Sequence, residues 1–131
     1  MKLEQAIHTH WGERVALAAL LAVDRFTTGR TSSRTIPYAT LDVRTAESLL
    51  PTNQGAALEL VALRIHVWHE VYDDGRMIAE QIVEAFDGVS LELTEPTCFA
   101  RVSHTTSSIR QHADGLWHWS IRFKANICLL P

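Results

Sequence analysis

Hydrophobic positions change their period several times along this chain of 131 residues, and each change predicts an element. Leu3, Ile7, His10, Trp11, Leu17 and Leu20 recur at steps that predict one amphipathic helix over residues 3–22, with Gly12 as its weak point. Residues 24–34, DRFTTGRTSSR, are rich in threonine, serine and arginine and read as a loop. Pro37 then opens a strand in which Ala39, Leu41 and Val43 alternate with Tyr38, Thr40, Asp42 and Arg44. Pro51, Asn53 and Gly55 place a turn or long loop over residues 45–56.

The longest strand signal is LELVALRIHVWHEVY. Val61, Leu63, Ile65 and Val67 lie on one face of it; Ala62, Arg64, His66, Trp68 and Glu70 lie on the other. At Asp73-Asp74-Gly75 the period switches from two to about 3.6, and either aspartate is placed to cap a helix that Asp87-Gly88 ends. A short strand over residues 89–93, Pro96, a strand over 98–111 and a tight Asp114-Gly115 turn follow. The last strand alternates most cleanly. Trp117, Trp119, Ile121, Phe123, Ala125 and Ile127 face inward, while His118, Ser120, Arg122, Lys124 and Asn126 face out. Strands joined by turns predict a single domain over residues 1–131 of the α+β class: a mainly antiparallel sheet of four to five strands with two helices packed on one face.

Composition changes this picture little. Hydrophobic residues make up 47% of the chain and charged residues 21%, which fits a globular domain and excludes a disordered tail. The net charge of -3 argues against a nucleic-acid binder that works by bulk electrostatics. Cys98 and Cys128 are too few for a disulfide framework and read as reduced core thiols. The opening MKLEQAIHTHWGER carries acidic residues, unlike a signal peptide, and the apolar run over residues 15–23 is about half of a bilayer span. The expectation is a soluble protein made in the cytoplasm, with no membrane partner.

Seven histidines invite a metal hypothesis. His8 and His10 would point about 200° apart on a helix, and His66 and His69 fall on opposite faces of a strand. His66 and His118 share the outer face, where His104 would be the third member of a set; a small metal- or ligand-binding domain built on these three is the alternative reading. No HExxH sequence and no cysteine–histidine pair at zinc spacing occurs. Ser103, Ser107 and Ser108 lie near His104, but adjacent strand residues point to opposite faces and no GxSxG elbow is present. GRTSSR at residues 29–34 lacks the glycine spacing and lysine of a phosphate loop. None of these patterns calls for a catalytic residue, metal or cofactor.

Four features in order resemble the tail-completion, or tail-terminator, proteins of tailed phages and prophages. They are an N-terminal helix near LEQAIHTHW, the Pro37-Tyr38 pair opening IPYATLDV, the strand LRIHVWHE running into DDGRMIAEQIVEAFDG, and the hairpin IRQHADGLWHWSIRFKANI. The likeness runs from Leu3 to Ile127; residues 45–57 and 94–97 carry no mark of it. It implies helices on an antiparallel sheet, no catalysis, and self-assembly as a ring, commonly a hexamer. Such a ring caps the tail tube, so the implied partners are further copies, the tail-tube protein and the head-completion protein, with no specific nucleic acid. The implied locations are the host cytoplasm during assembly and then the virion tail. For the contact surface the candidates are Arg30 and Arg34 in the polar loop, and Arg64, His66 and Trp68 on the less apolar face of the long strand. Tryptophan and arginine are enriched at protein interfaces.

Overall fold

The computed structural model describes residues 3–29, 35–48, 57–93 and 99–129. Helix α1 (Leu3–Glu13) and helix α2 (Val15–Leu20) lead, through a single 3₁₀ turn, into strand β1 (Phe26–Thr28). Strands β2 (Tyr38–Ser48) and β3 (Ala57–His69), helix α3 (Tyr72–Phe86), and strands β4 (Ser90–Glu92), β5 (Phe99–Gln111) and β6 (Trp117–Leu129) complete the order.

The six strands form one sheet in the order β1-β2-β3-β6-β5-β4. All neighbours are antiparallel except β1 and β2, which run parallel with Phe26 opposite Ala39. The α+β class therefore holds, but the described residues contain six strands and three α-helices, and the sheet is mixed. The extra strand is Phe26–Thr28, which lies inside the expected loop. Three residues are too few to show a period, so only Phe-Thr-Thr composition hinted at it.

The expected single N-terminal helix is broken at Arg14, whose backbone is extended. The reason is rotational. Leu3, Ile7 and Trp11 form one stripe at four-residue steps, but Leu17 follows Trp11 by six, about 240° round a continuous helix. Breaking the helix lets Leu17 and Leu21 rejoin Trp11 in the core, where all five are buried. Trp11 is fully enclosed: its Nε1–H donates to the Leu21 carbonyl at 2.9 Å, and its ring stacks on Phe26 at 4.0 Å.

Strand β2 runs through Ser48 rather than stopping before Thr45, with a register shift between Thr45 and Ser48. Strand β3 ends at His69, and α3 opens on Val71 as its cap, with no side-chain cap bond. Asp73 and Asp74 instead stand in the first turn, where carboxylates favour the positive end of the helix dipole. Gly88 and Gly115 take positive φ (77° and 88°), as a helix stop and a hairpin turn require. The short strand, the 13-residue β5 and the alternating β6 appear where their patterns put them.

One face of the sheet supplies Ala39, Leu41, Leu63, Ile65, Val67, Val102, Ile121 and Phe123 to a core that the helices close with Ile7, Trp11, Ile78, Ile82 and Phe86. Trp119 is buried as expected, while Trp117 is only half-buried at the margin, packed edge-on to Tyr72. Cys98 and the side chain of Cys128 lie outside the described residues, as do Arg30 and Arg34.

Candidate functional site

The other face of the sheet is open: among the described residues no helix packs on it. Alternation along β2, β3 and β6 sends their polar side chains there, and the register aligns them in rows. One row is Tyr38, Trp68, His118 and Arg110; the next runs through Thr40, His66, Ser120 and Ser108; the third holds Asp42, Arg64 and Arg122. Arg64, His66 and Trp68 thus sit together, as the alternation predicts.

Trp68 is half-buried and is not under a helix. Its ring is sandwiched between Tyr38 at 4.7 Å and His118 at 4.6 Å. Beside this column the histidines form a hydrogen-bonded line. His66 Nε2 lies 3.1 Å from Asp42 Oδ2, His66 Nδ1 lies 2.8 Å from His118 Nε2, and His118 Nδ1 lies 3.5 Å from His112 Nε2. A carboxylate only accepts, so His66 Nε2 carries the proton given to Asp42 and His66 Nδ1 is left to accept from His118. The same logic makes His118 Nδ1 an acceptor toward His112. His66 and His118 are then each neutral, donating on one side and accepting on the other, and His112 donates to His118.

The surroundings favour that state. Burial pushes His118 down to about 4, and the neighbouring His66, His112, Arg110 and Arg64 add to it. His66 is lowered too, mainly by burial, with Arg64 adding to it and Asp42 pulling the other way. In the unfolded chain His118 titrates near 6.5, so below that pH the unfolded state binds more protons. The neutral line contributes its full stability above pH 6.5 and loses it as the pH falls towards 4. Urea unfolding across this range should show falling stability, with a shallower slope in His118→Gln.

His104 does not join this group. It lies on the helix-covered face, edge-on to Phe123 with its backbone N–H donating to Asp87 Oδ1, so the three-histidine set is not assembled. Among the described residues no group of three or more His, Cys, Asp or Glu is arranged to hold a metal. Strand alternation alone does not bring Ser107 to the side of His104. A bulge between His104 and Thr106 puts both on one side, with Nε2 to Oγ at 2.7 Å. The two strap the bulge, and Ser107 stays exposed.

Asp42, Tyr38 and His112 are not among the contact residues read from the sequence. The first two alternate onto the open face of β2, but which residue of β3 they meet depends on register, which the long connection between the strands does not specify. His112 reaches His118 only through the hairpin fold-back.

No helix among the described residues is long and apolar enough to cross a membrane. No curated protein matches the sequence. A chain from the solved virion of a native gene transfer agent particle has the same fold, with a TM-score of 0.77 at 16% identity, covering 97% of this chain and 95% of that one. A second solved structure matches with a TM-score of 0.59 at 12% identity over 98% of this chain and 97% of its own. The family model described as tail completion protein gp17 matches residues 5–127. Nearly the whole chain, both helical layer and sheet, is thus accounted for, and the protein belongs to the tail completion protein gp17 family, with a structural role in the phage tail.

Proposed function

We propose that the protein self-associates into a ring that closes the end of the tail tube and offers a docking surface for the head, without catalysis. Its partners are then copies of itself, the tail-tube protein and the head-completion protein, met in the host cytoplasm and retained in the virion tail. The open sheet face supports this reading most directly. Half-buried Trp68, stacked between Tyr38 and His118 beside Arg64, has the aromatic and arginine content of an interface centre. Arg30 and Arg34 are further candidates for contact with a neighbour or the tube.

Light scattering over a range of concentrations, with negative-stain imaging, tests the proposal. Rings, or assembly on addition of tail-tube protein, are the expected result. A chain that stays monomeric at high concentration and ignores the tail tube would rule the ring out. Trp68→Ala should weaken assembly at least tenfold while leaving the monomer folded, since loss of a central aromatic anchor costs about 2 kcal/mol or more.

A further inference from the structure

The open face is basic although the chain as a whole is acidic. Arg44, Arg64, Arg122 and Lys124 border a groove of about 330 Å³ on it, with Asp42 as the acidic member. Asp42 is already bonded to His66. None of the four cations forms an ion pair with a described residue, and Arg64 stands directly opposite Arg122 in the register. Like charges facing each other across strands destabilise a sheet, so this arrangement costs the lone chain stability.

The opposite side of the molecule has the complementary character. Helix α3 covers the inner sheet face and turns outward Asp73, Asp74, Glu80, Glu84 and then Asp87, against the single cation Arg76, which is held by Glu80 at 2.8 Å. Asp73, Met77, Glu80 and Glu84 follow one another at steps of four, three and four, a straight stripe about 16 Å long. Met77 and Tyr72, both substantially exposed, add apolar surface to it. The basic patch spans three strands, about 10 Å. The sheet and helix layers separate the two surfaces, so they cannot neutralise each other within one chain.

Resting on the ring reading, we infer that the basic open face of one copy seats the acidic α3 stripe of the next. Each copy carries one surface of each kind, which makes the contact heterologous and head-to-tail. Such contacts build rings when the rotation between copies closes. The groove cations meet the stripe carboxylates, while Met77 and Tyr72 meet the Trp68 column.

Charge reversal tests this. Arg122→Glu with Lys124→Glu should abolish assembly of the full chain, as should Glu80→Lys with Glu84→Lys, each leaving a folded monomer that still unfolds cooperatively, because all four side chains are exposed. The chain carrying all four substitutions should assemble again, as should an equimolar mixture of the two pairs. Wild-type rings that persist in both reversed pairs would overturn the inference and leave the ring reading standing. Failure of the wild type to assemble, even on tail-tube protein, would overturn both. Binding of duplex DNA that is lost in Arg122→Glu with Lys124→Glu, while assembly is untouched, would assign the patch to nucleic acid and overturn the inference.

Discussion

Trp11→Ala is expected to lower the unfolding free energy by about 3–5 kcal/mol and the melting temperature by roughly 10–20 °C. Trp11 is the residue on which three separate pieces of the fold converge. It ends the α1 stripe, holds the Leu21 carbonyl at the end of α2, and stacks on Phe26 at the start of β1. Truncation opens a cavity where the ring was and leaves that carbonyl without its donor. Trp11→Phe keeps a ring against Phe26 and loses the hydrogen bond with a smaller cavity, so it should cost less than Trp11→Ala, about 2–3 kcal/mol. Urea unfolding with amide exchange checks this, and protection at Thr27 and Thr28 should fall most, since β1 is a three-residue edge strand anchored through Phe26. If Trp11→Ala melted within about 2 °C of the wild type, the anchoring role would be disproved.

Gly75→Ala should cost about 3 kcal/mol, although alanine favours helices. A Cβ built on Gly75 overlaps Cη2 and Cζ3 of Trp119 and presses on His69 Cβ at 3.0 Å. Trp119 is buried at the centre of the sheet and has no free volume to retreat into, so α3 itself must lift. Trp119→Phe deletes the two ring atoms that collide. In the double variant Gly75→Ala should be much cheaper, giving a coupling of about 1–2 kcal/mol in a double-mutant cycle. Additive costs would show that the helix start yields without touching the ring.

The elements that could be read from the sequence are those whose hydrophobic period persists for several turns or pleats. Strand β6 is legible residue by residue because six apolar side chains alternate without interruption from Trp117 to Ile127. The break at Arg14 was hidden because apolar residues continue through Val15–Leu20, and only the phase slip between Trp11 and Leu17 marks it. Strand β1 gains its place from Trp11 and from parallel pairing with β2, both tertiary. At the candidate site, Arg64, His66 and Trp68 are legible as one face. The joining of His66 to Asp42 and His118 waits on register. Net charge leaves the separation of charge unread for a different reason: a sum over the chain cannot report that Arg64 and Arg122 are gathered on one side and Glu80 and Glu84 on the other.

The strand order has a consequence for how the chain is made. Strand β6 lies at the middle of the sheet, paired to β3 on one side and β5 on the other, yet of the six described strands it is synthesised last. Until it emerges, β3 has β2 alone as a neighbour, and Val61, Leu63, Ile65 and Val67 have no Trp119, Ile121 or Phe123 beside them. The pairings that close the core join residues as far apart as Val61 and Ala125, so the ordering of long loops must come before the contacts that reward it. On the ribosome the nascent chain therefore holds an apolar half-sheet open from the end of β3 until β6 emerges, and its completion is expected to be late and all at once.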